Sequence, residues 1–100
     1  TTLNINLVKI LKILRRNNYD TILLTNCRRE RAMSICSYYD ITKYFSDLYF
    51  FEDKIRTKYD VLQRKGYNME SIVLFENESE SKEDAIRNGI IIENIISVYF

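Results

Sequence analysis

The sequence contains no histidine and no proline, and only two cysteines. Without histidine there is no Ser-His-Asp or Cys-His triad, no Cys2His2 zinc site and no His-Glu-x-x-His metalloprotease helix. Without proline, no stretch reads as a proline-rich linker or ligand. Cys27 and Cys36 stand nine positions apart, which suits neither a disulfide framework nor a Cys-x-x-Cys pair, so a reducing, cytoplasmic setting is expected. No apolar run approaches the roughly 18 residues of a membrane span, and the first residues do not resemble a signal peptide, so no membrane partner is expected. A net charge of +1 gives no global field for holding nucleic acid, and no nucleic-acid partner is expected either.

What is present describes a small folded domain. One hundred residues, of which 46% are apolar and 29% charged, suffice for one core and a soluble surface, and residues 1–100 are read as a single domain. The charge is uneven. Residues 1–50 carry eight basic and four acidic side chains, residues 51–100 seven basic and ten acidic. Five of the acids, Glu76, Glu78, Glu80, Glu83 and Asp84, fall close together, as acids do at the positive end of a helix.

Leu3, Leu7, Ile10, Leu11 and Leu14 recur at helical spacing and predict a helix over about residues 4–16, ended by Asn17-Asn18. Thr21-Ile22-Leu23-Leu24-Thr25 predicts a strand buried on both faces, and Arg28–Tyr38 a second helix. Asp47–Phe51 is a second, aromatic-rich strand. Thr57 and Asp60 resemble a capping box for a third helix with Val61 and Leu62 inside and Gly66 just past its end. Ser71–Phe75 predicts a strand, Ser81–Asn88 a helix closed by Gly89, and Ile90–Ile92 and Ile95–Phe100 two further candidate strands. Strands alternating with helices imply crossover connections and a parallel sheet, hence a three-layer Rossmann-like α/β architecture without an internal repeat.

In such sheets, ligands sit beyond the carboxyl ends of the strands. Three segments occupy those ends here: Thr25-Asn26, Glu52-Asp53-Lys54 and Glu76-Asn77-Glu78. Together they supply a hydroxyl, an ammonium and carboxylates, which is what phosphoryl transfer requires. Thr25 and the amides after it suit a phosphate oxygen. Lys54 or Lys58 can balance anionic charge, and Glu76 with Asn77 or Glu78 offers hard oxygen donors to Mg²⁺.

From Tyr19 to Gly89 the order and spacing of these residues resemble the haloacid dehalogenase-like phosphohydrolases. The family's second motif, an apolar strand ending in Thr or Ser, is similar to Ile22-Leu23-Leu24-Thr25-Asn26. Its fourth, an apolar strand, an acidic pair and a helix closing on Ala and Gly, resembles Ile72-Val73-Leu74-Phe75-Glu76-Asn77 with Ala85 and Gly89. For the motif lysine both Lys54 and Lys58 qualify, with Lys58 favoured by its place just after the Thr57 cap. The resemblance implies hydrolysis of a small phosphorylated substrate with Mg²⁺ through an aspartyl-phosphate.

The family's first motif, Asp-x-Asp after an apolar strand, does not occur in these residues, and Glu76-Asn77 stands where aspartates are commoner. In that family the strand bearing the nucleophile lies between the strands that end here at Thr25 and Phe75. A gap there leaves backbone groups unpaired at a cost on the order of 1 to 3 kcal/mol each. Three outcomes are open: these residues are the carboxyl-terminal part of a longer protein, as the initial Thr1 suggests; another segment or chain donates the strand; or the strands ending at Thr25 and Phe75 pair directly. The hundred residues alone are expected to show no turnover. The alternative function is a non-catalytic interaction domain that kept the scaffold and lost the chemistry.

Other features read as ordinary structure. Cys27 lacks the Cys-x5-Arg signature of thiol phosphatases, because Met33 stands six positions on. Arg28, Arg29 and Arg31 fit an exposed helix face, the aromatics from Tyr38 to Phe51 fit core, and Ser79 and Ser81 fit caps of the last helix.

Overall fold

A computed structural model of the chain describes residues 5–76 and 79–97, with every side chain among them except those of Ile5, Glu76, Ser79, Glu80 and Ser97. In chain order these residues form α1 (Ile5–Arg16), β1 (Ile22–Leu24), α2 (Arg29–Tyr38), β2 (Asp47–Tyr49), α3 (Lys58–Arg64), β3 (Leu74–Glu76), α4 (Ser79–Arg87) and β4 (Ile95–Ser97). Single turns of 3-10 helix lie at Thr42–Tyr44, Phe51–Asp53, Met69–Ser71 and Ile92–Asn94. The chain divides into two compact units, Thr1–Ile55 and Arg56–Phe100.

All four of these helices stop in the same way. A residue in the left-handed region follows each one: Asn18 (φ 61°), Asp40 (φ 54°), Gly66 (φ 81°) and Gly89 (φ 97°). In each case its amide, and the amide after it, turn back onto the carbonyls of the last helical turn. Asn18 and Tyr19 reach Arg15 and Leu14; Asp40 and Ile41 reach Ser37 and Cys36; Gly66 and Tyr67 reach Gln63 and Leu62; Gly89 and Ile90 reach Ile86 and Ala85, all at 3.0–3.2 Å. This double closure satisfies carbonyls that would otherwise be orphaned and sends an apolar residue back against the helix. Ile41 (3% exposed) and Ile90 (2%) are such residues, and both are buried in the cores.

The first unit carries β1 and β2 as a parallel pair in the register Ile22↔Asp47, Leu23↔Leu48, Leu24↔Tyr49. Its core is Leu11, Cys36 and Ile41, with Val8, Leu23, Tyr39, Tyr44 and Phe45 packed around them. The second unit carries β3 and β4, also parallel, in the register Leu74↔Ile95, Phe75↔Ile96, Glu76↔Ser97. Its core is Tyr59, Ala85 and Ile90, flanked by Met69, Ile72, Leu74 and Ile95. The fold is α/β with parallel strand pairing, as the alternation of elements predicts.

Several expectations need correction. Ile22, Leu23 and Leu24 are half-buried and not enclosed on both faces, and among the described residues β1 pairs only with β2. Among the described residues β1 is hydrogen-bonded to β2, and β3 to β4. The strand expected over Ser71–Phe75 begins only at Leu74. Ser71 ends a 3-10 turn, Met69–Ser71, in which the Asn68 side chain accepts from the Glu70 amide at 3.1 Å, and Ile72 and Val73 link that turn to the strand. Ile90–Ile92 is not a strand either, since Ile90 completes the closure of α4 and Ile92 opens a 3-10 turn. Ser81 is the third residue of α4 and not at its cap position.

The two units repeat one order that the sequence does not display. Each runs helix, strand, helix, left-handed residue, buried isoleucine, 3-10 turn, parallel strand, with an added 3-10 turn, Met69–Ser71, before the first strand of the second unit. Asp40-Ile41 in one unit stands where Gly89-Ile90 stands in the other.

Candidate functional site

Because β1 and β2 are parallel and in register, the loops that follow them leave from one end of the sheet. Thr25 and Asn26 head one loop, and Phe50–Lys54 form the other. The Thr25 amide makes the last rung, donating to the Tyr49 carbonyl at 3.1 Å. Its hydroxyl oxygen accepts the Cys27 amide at 3.1 Å. A hydroxyl that accepts one hydrogen bond keeps its own proton to donate. The Asn26 amide makes no internal hydrogen bond among the described residues. Thr25 is half-buried and Asn26 exposed, so one hydroxyl and one amide are available to an oxyanion.

The helix behind this loop is capped from a distance. Arg28, at the N-cap of α2, provides no side-chain cap. Instead the Arg29 amide donates to the Glu52 carboxylate, at 2.9 Å to Oε1 and 3.3 Å to Oε2. The Phe51 amide donates to the Cys27 carbonyl at 2.9 Å. The Arg28 guanidinium lies 5.2 Å from the Phe51 ring centre, and that of Arg29 lies 5.3 Å from the Phe50 ring centre. Asp53 closes the second loop on itself by accepting the Phe50 amide at 2.7 Å. In the sequence Glu52 stands only as part of a loop; its partner lies 23 positions away, beyond any local pattern.

Lys54 lies on this same loop, exposed, in the left-handed region at φ 51° and ψ 45°. A non-glycine residue there carries a strain of roughly 1 kcal/mol. Lys54→Gly is therefore expected to raise the stability of the chain by about 0.5–1 kcal/mol, read by urea denaturation.

In the second unit, Thr57 caps α3 as expected, its hydroxyl accepting the Asp60 amide at 3.1 Å. Lys58 is the first residue of that helix and half-buried, with its ammonium 5.7 Å from the Tyr59 ring centre. Glu76 is the last residue of β3, where a strand-end donor belongs. Asn77 and Glu78 lie outside the described residues. Among the described residues no group of three or more Cys, Asp or Glu side chains is gathered for a metal. By donor type, Glu76, Asn77 and Glu78 are oxygen ligands and fit a hard cation such as Mg²⁺. Thr25, Asn26 and Lys54 thus share one end of the first unit's sheet, whereas Lys58 and Glu76 belong to the second unit.

Both cysteines are free thiols, Cys27 exposed and Cys36 buried. Burial pushes the Cys36 thiol above its ordinary pKa. A thiol that holds its proton more tightly when folded stabilises the chain fully below its unfolded pKa and loses that contribution as pH rises beyond it. Alkylation at pH 8 is therefore expected to label Cys27 promptly and Cys36 only on unfolding, with stability declining as the pH is raised above about 8.5. Prompt labelling of both thiols in the folded chain contradicts the placement of Cys36.

No family model and no curated protein matches the sequence. Among solved structures, the chain is similar to a crystal structure described as a beta-phosphoglucomutase from Thermotoga maritima, with a TM-score of 0.73 and 24% identity. The similarity covers 92% of this chain and 44% of that one, so the chain spans less than half of that protein's length. Parallel strand pairs, helices between them and this likeness give the chain the haloacid dehalogenase-like fold.

Proposed function

We propose that these hundred residues are the phosphate-handling part of a haloacid dehalogenase-like phosphohydrolase whose nucleophile lies on a segment outside them. The observation that carries this reading is the Thr25 loop at the end of β1, where the Thr25 hydroxyl accepts the Cys27 amide and the Asn26 backbone amide makes no hydrogen bond among the described residues. In the proposed reaction, an aspartate from the other segment attacks phosphorus and displaces the alcohol of a phosphomonoester, and water then cleaves the resulting acyl phosphate. Thr25 and Asn26 hold a phosphoryl oxygen, where a single preorganised donor is worth about 10²–10³ in rate. Lys58 or Lys54 offsets the charge of nucleophile and phosphate. Glu76, with Asn77 and Glu78, holds Mg²⁺, which when bound polarises the phosphoryl group. The nucleophile's strand comes from another segment or another chain, and the two free thiols support a reducing, cytoplasmic compartment.

The alternative, a non-catalytic interaction domain, is favoured by Glu76-Asn77 in place of an acidic pair. An assay of the intact protein with Mg²⁺ and a panel of small phosphomonoesters separates the two. The phosphohydrolase reading expects turnover that falls about a hundredfold in Thr25→Ala. Full activity in Glu76→Ala rejects the metal assignment, and absence of turnover in the intact protein supports the interaction domain.

A further inference from the structure

We infer that Glu52 is the positioning residue of the phosphate loop: from the loop after β2 it holds the start of α2, and with it the Thr25–Cys27 turn. This rests on the reading of Thr25 and Asn26 given above. The amino end of α2 has four amides to satisfy and no side-chain cap at Arg28. A carboxylate is the strongest acceptor for that end, because it meets both the hydrogen-bond demand and the helix dipole. Glu52 supplies it across 23 positions of sequence. Its oxygens straddle the Arg29 amide at 2.9 and 3.3 Å.

A local cap would serve the helix equally well. What the remote cap adds is a tie between two loops. The chain is pinned at Thr25 to Tyr49, at Cys27 to Phe51 and at Arg29 to Glu52, three successive attachments within five residues. Two guanidinium–ring contacts, Arg28 with Phe51 and Arg29 with Phe50, lie beside them. Between the first two attachments sits the Cys27 amide on the Thr25 hydroxyl, the bond that restrains the Thr25 side chain. Releasing Glu52 frees the third attachment and loosens that bond.

The test separates a tie from a cap. Amide hydrogen exchange is followed in the intact protein for the wild type, Glu52→Gln, Glu52→Ala, and Glu52→Ala combined with Arg28→Ser, which gives α2 a local cap. The expected result is exchange at Cys27 and Arg29 about fivefold faster in Glu52→Ala, the factor carried by a cap of ordinary strength. Glu52→Gln, which keeps an acceptor oxygen, is expected to recover most of the protection. Arg28→Ser is expected to restore protection in the first turn of α2 and leave Cys27 fast. Restoration of Cys27 by Arg28→Ser, or no change at Cys27 in Glu52→Ala, overturns the inference and makes Glu52 a helix cap alone. Titration of the same proteins with inorganic phosphate keeps the two readings apart: a wild type that binds none contradicts the phosphate loop, while the exchange data still decide the role of Glu52.

Discussion

Ala85→Asp is expected to lower the free energy of unfolding by about 4 kcal/mol. Ala85 is 0% exposed and sits in the core of the second unit with Tyr59 and Ile90. Its carbonyl also accepts the Ile90 amide that closes α4. A carboxylate there is desolvated, and among the described residues the core around it is apolar apart from the Tyr59 hydroxyl. The next residue, Ile86, is 45% exposed on the same helix, so Ile86→Asp serves as the control and is expected to change stability by less than about 1 kcal/mol. Similar losses in both variants, measured by urea denaturation, contradict the placement of Ala85.

Leu11→Ala is expected to cost about 3 kcal/mol, through lost burial and the cavity left behind. Leu11 is 4% exposed and contributes α1 to a core that otherwise holds Cys36 and Ile41 from the end of α2. Ile13, two positions along the same helix, is 56% exposed, and Ile13→Ala is expected to cost well under 1 kcal/mol. Against a total stability of roughly 5–15 kcal/mol, either core variant removes a large share. An equal effect of the two α1 substitutions contradicts the burial pattern.

Much of this fold is legible because its helix ends are written in local chemistry. Thr57 with Asp60 announces the start of α3, and Gly66 and Gly89 announce the ends of α3 and α4. Asn17-Asn18 reads correctly as a stop, although the left-handed residue is specifically Asn18. Asp40 does the same work in the first unit without a glycine to mark it, and its Ile41 partner is as buried as Ile90. The repeated order of the two units is hidden for that reason. Errors arise where an apolar run is asked to mean one thing. Ser71–Phe75 is split between the end of a 3-10 turn, a two-residue link and a strand, and Ile90–Ile92 between a helix closure and the next turn. Apolar residues serve both uses, so the run alone does not divide them.

The candidate site is legible in part. Thr25-Asn26 is marked by the strand before it, and Lys58 by the cap before it. Glu52 is not marked, since its role depends on an amide that the fold brings from far along the chain. Lys54 carries a backbone strain that no residue type announces.

Titration of the isotopically labelled protein with inorganic phosphate, read at each backbone amide, tests most directly whether the loop after β1 receives a phosphate group. The account predicts saturable shifts centred on Thr25, Asn26 and Cys27 that vanish in Thr25→Val. Shifts confined to the exposed arginines and lysines, or a Thr25→Val protein that binds phosphate as the wild type does, contradict it.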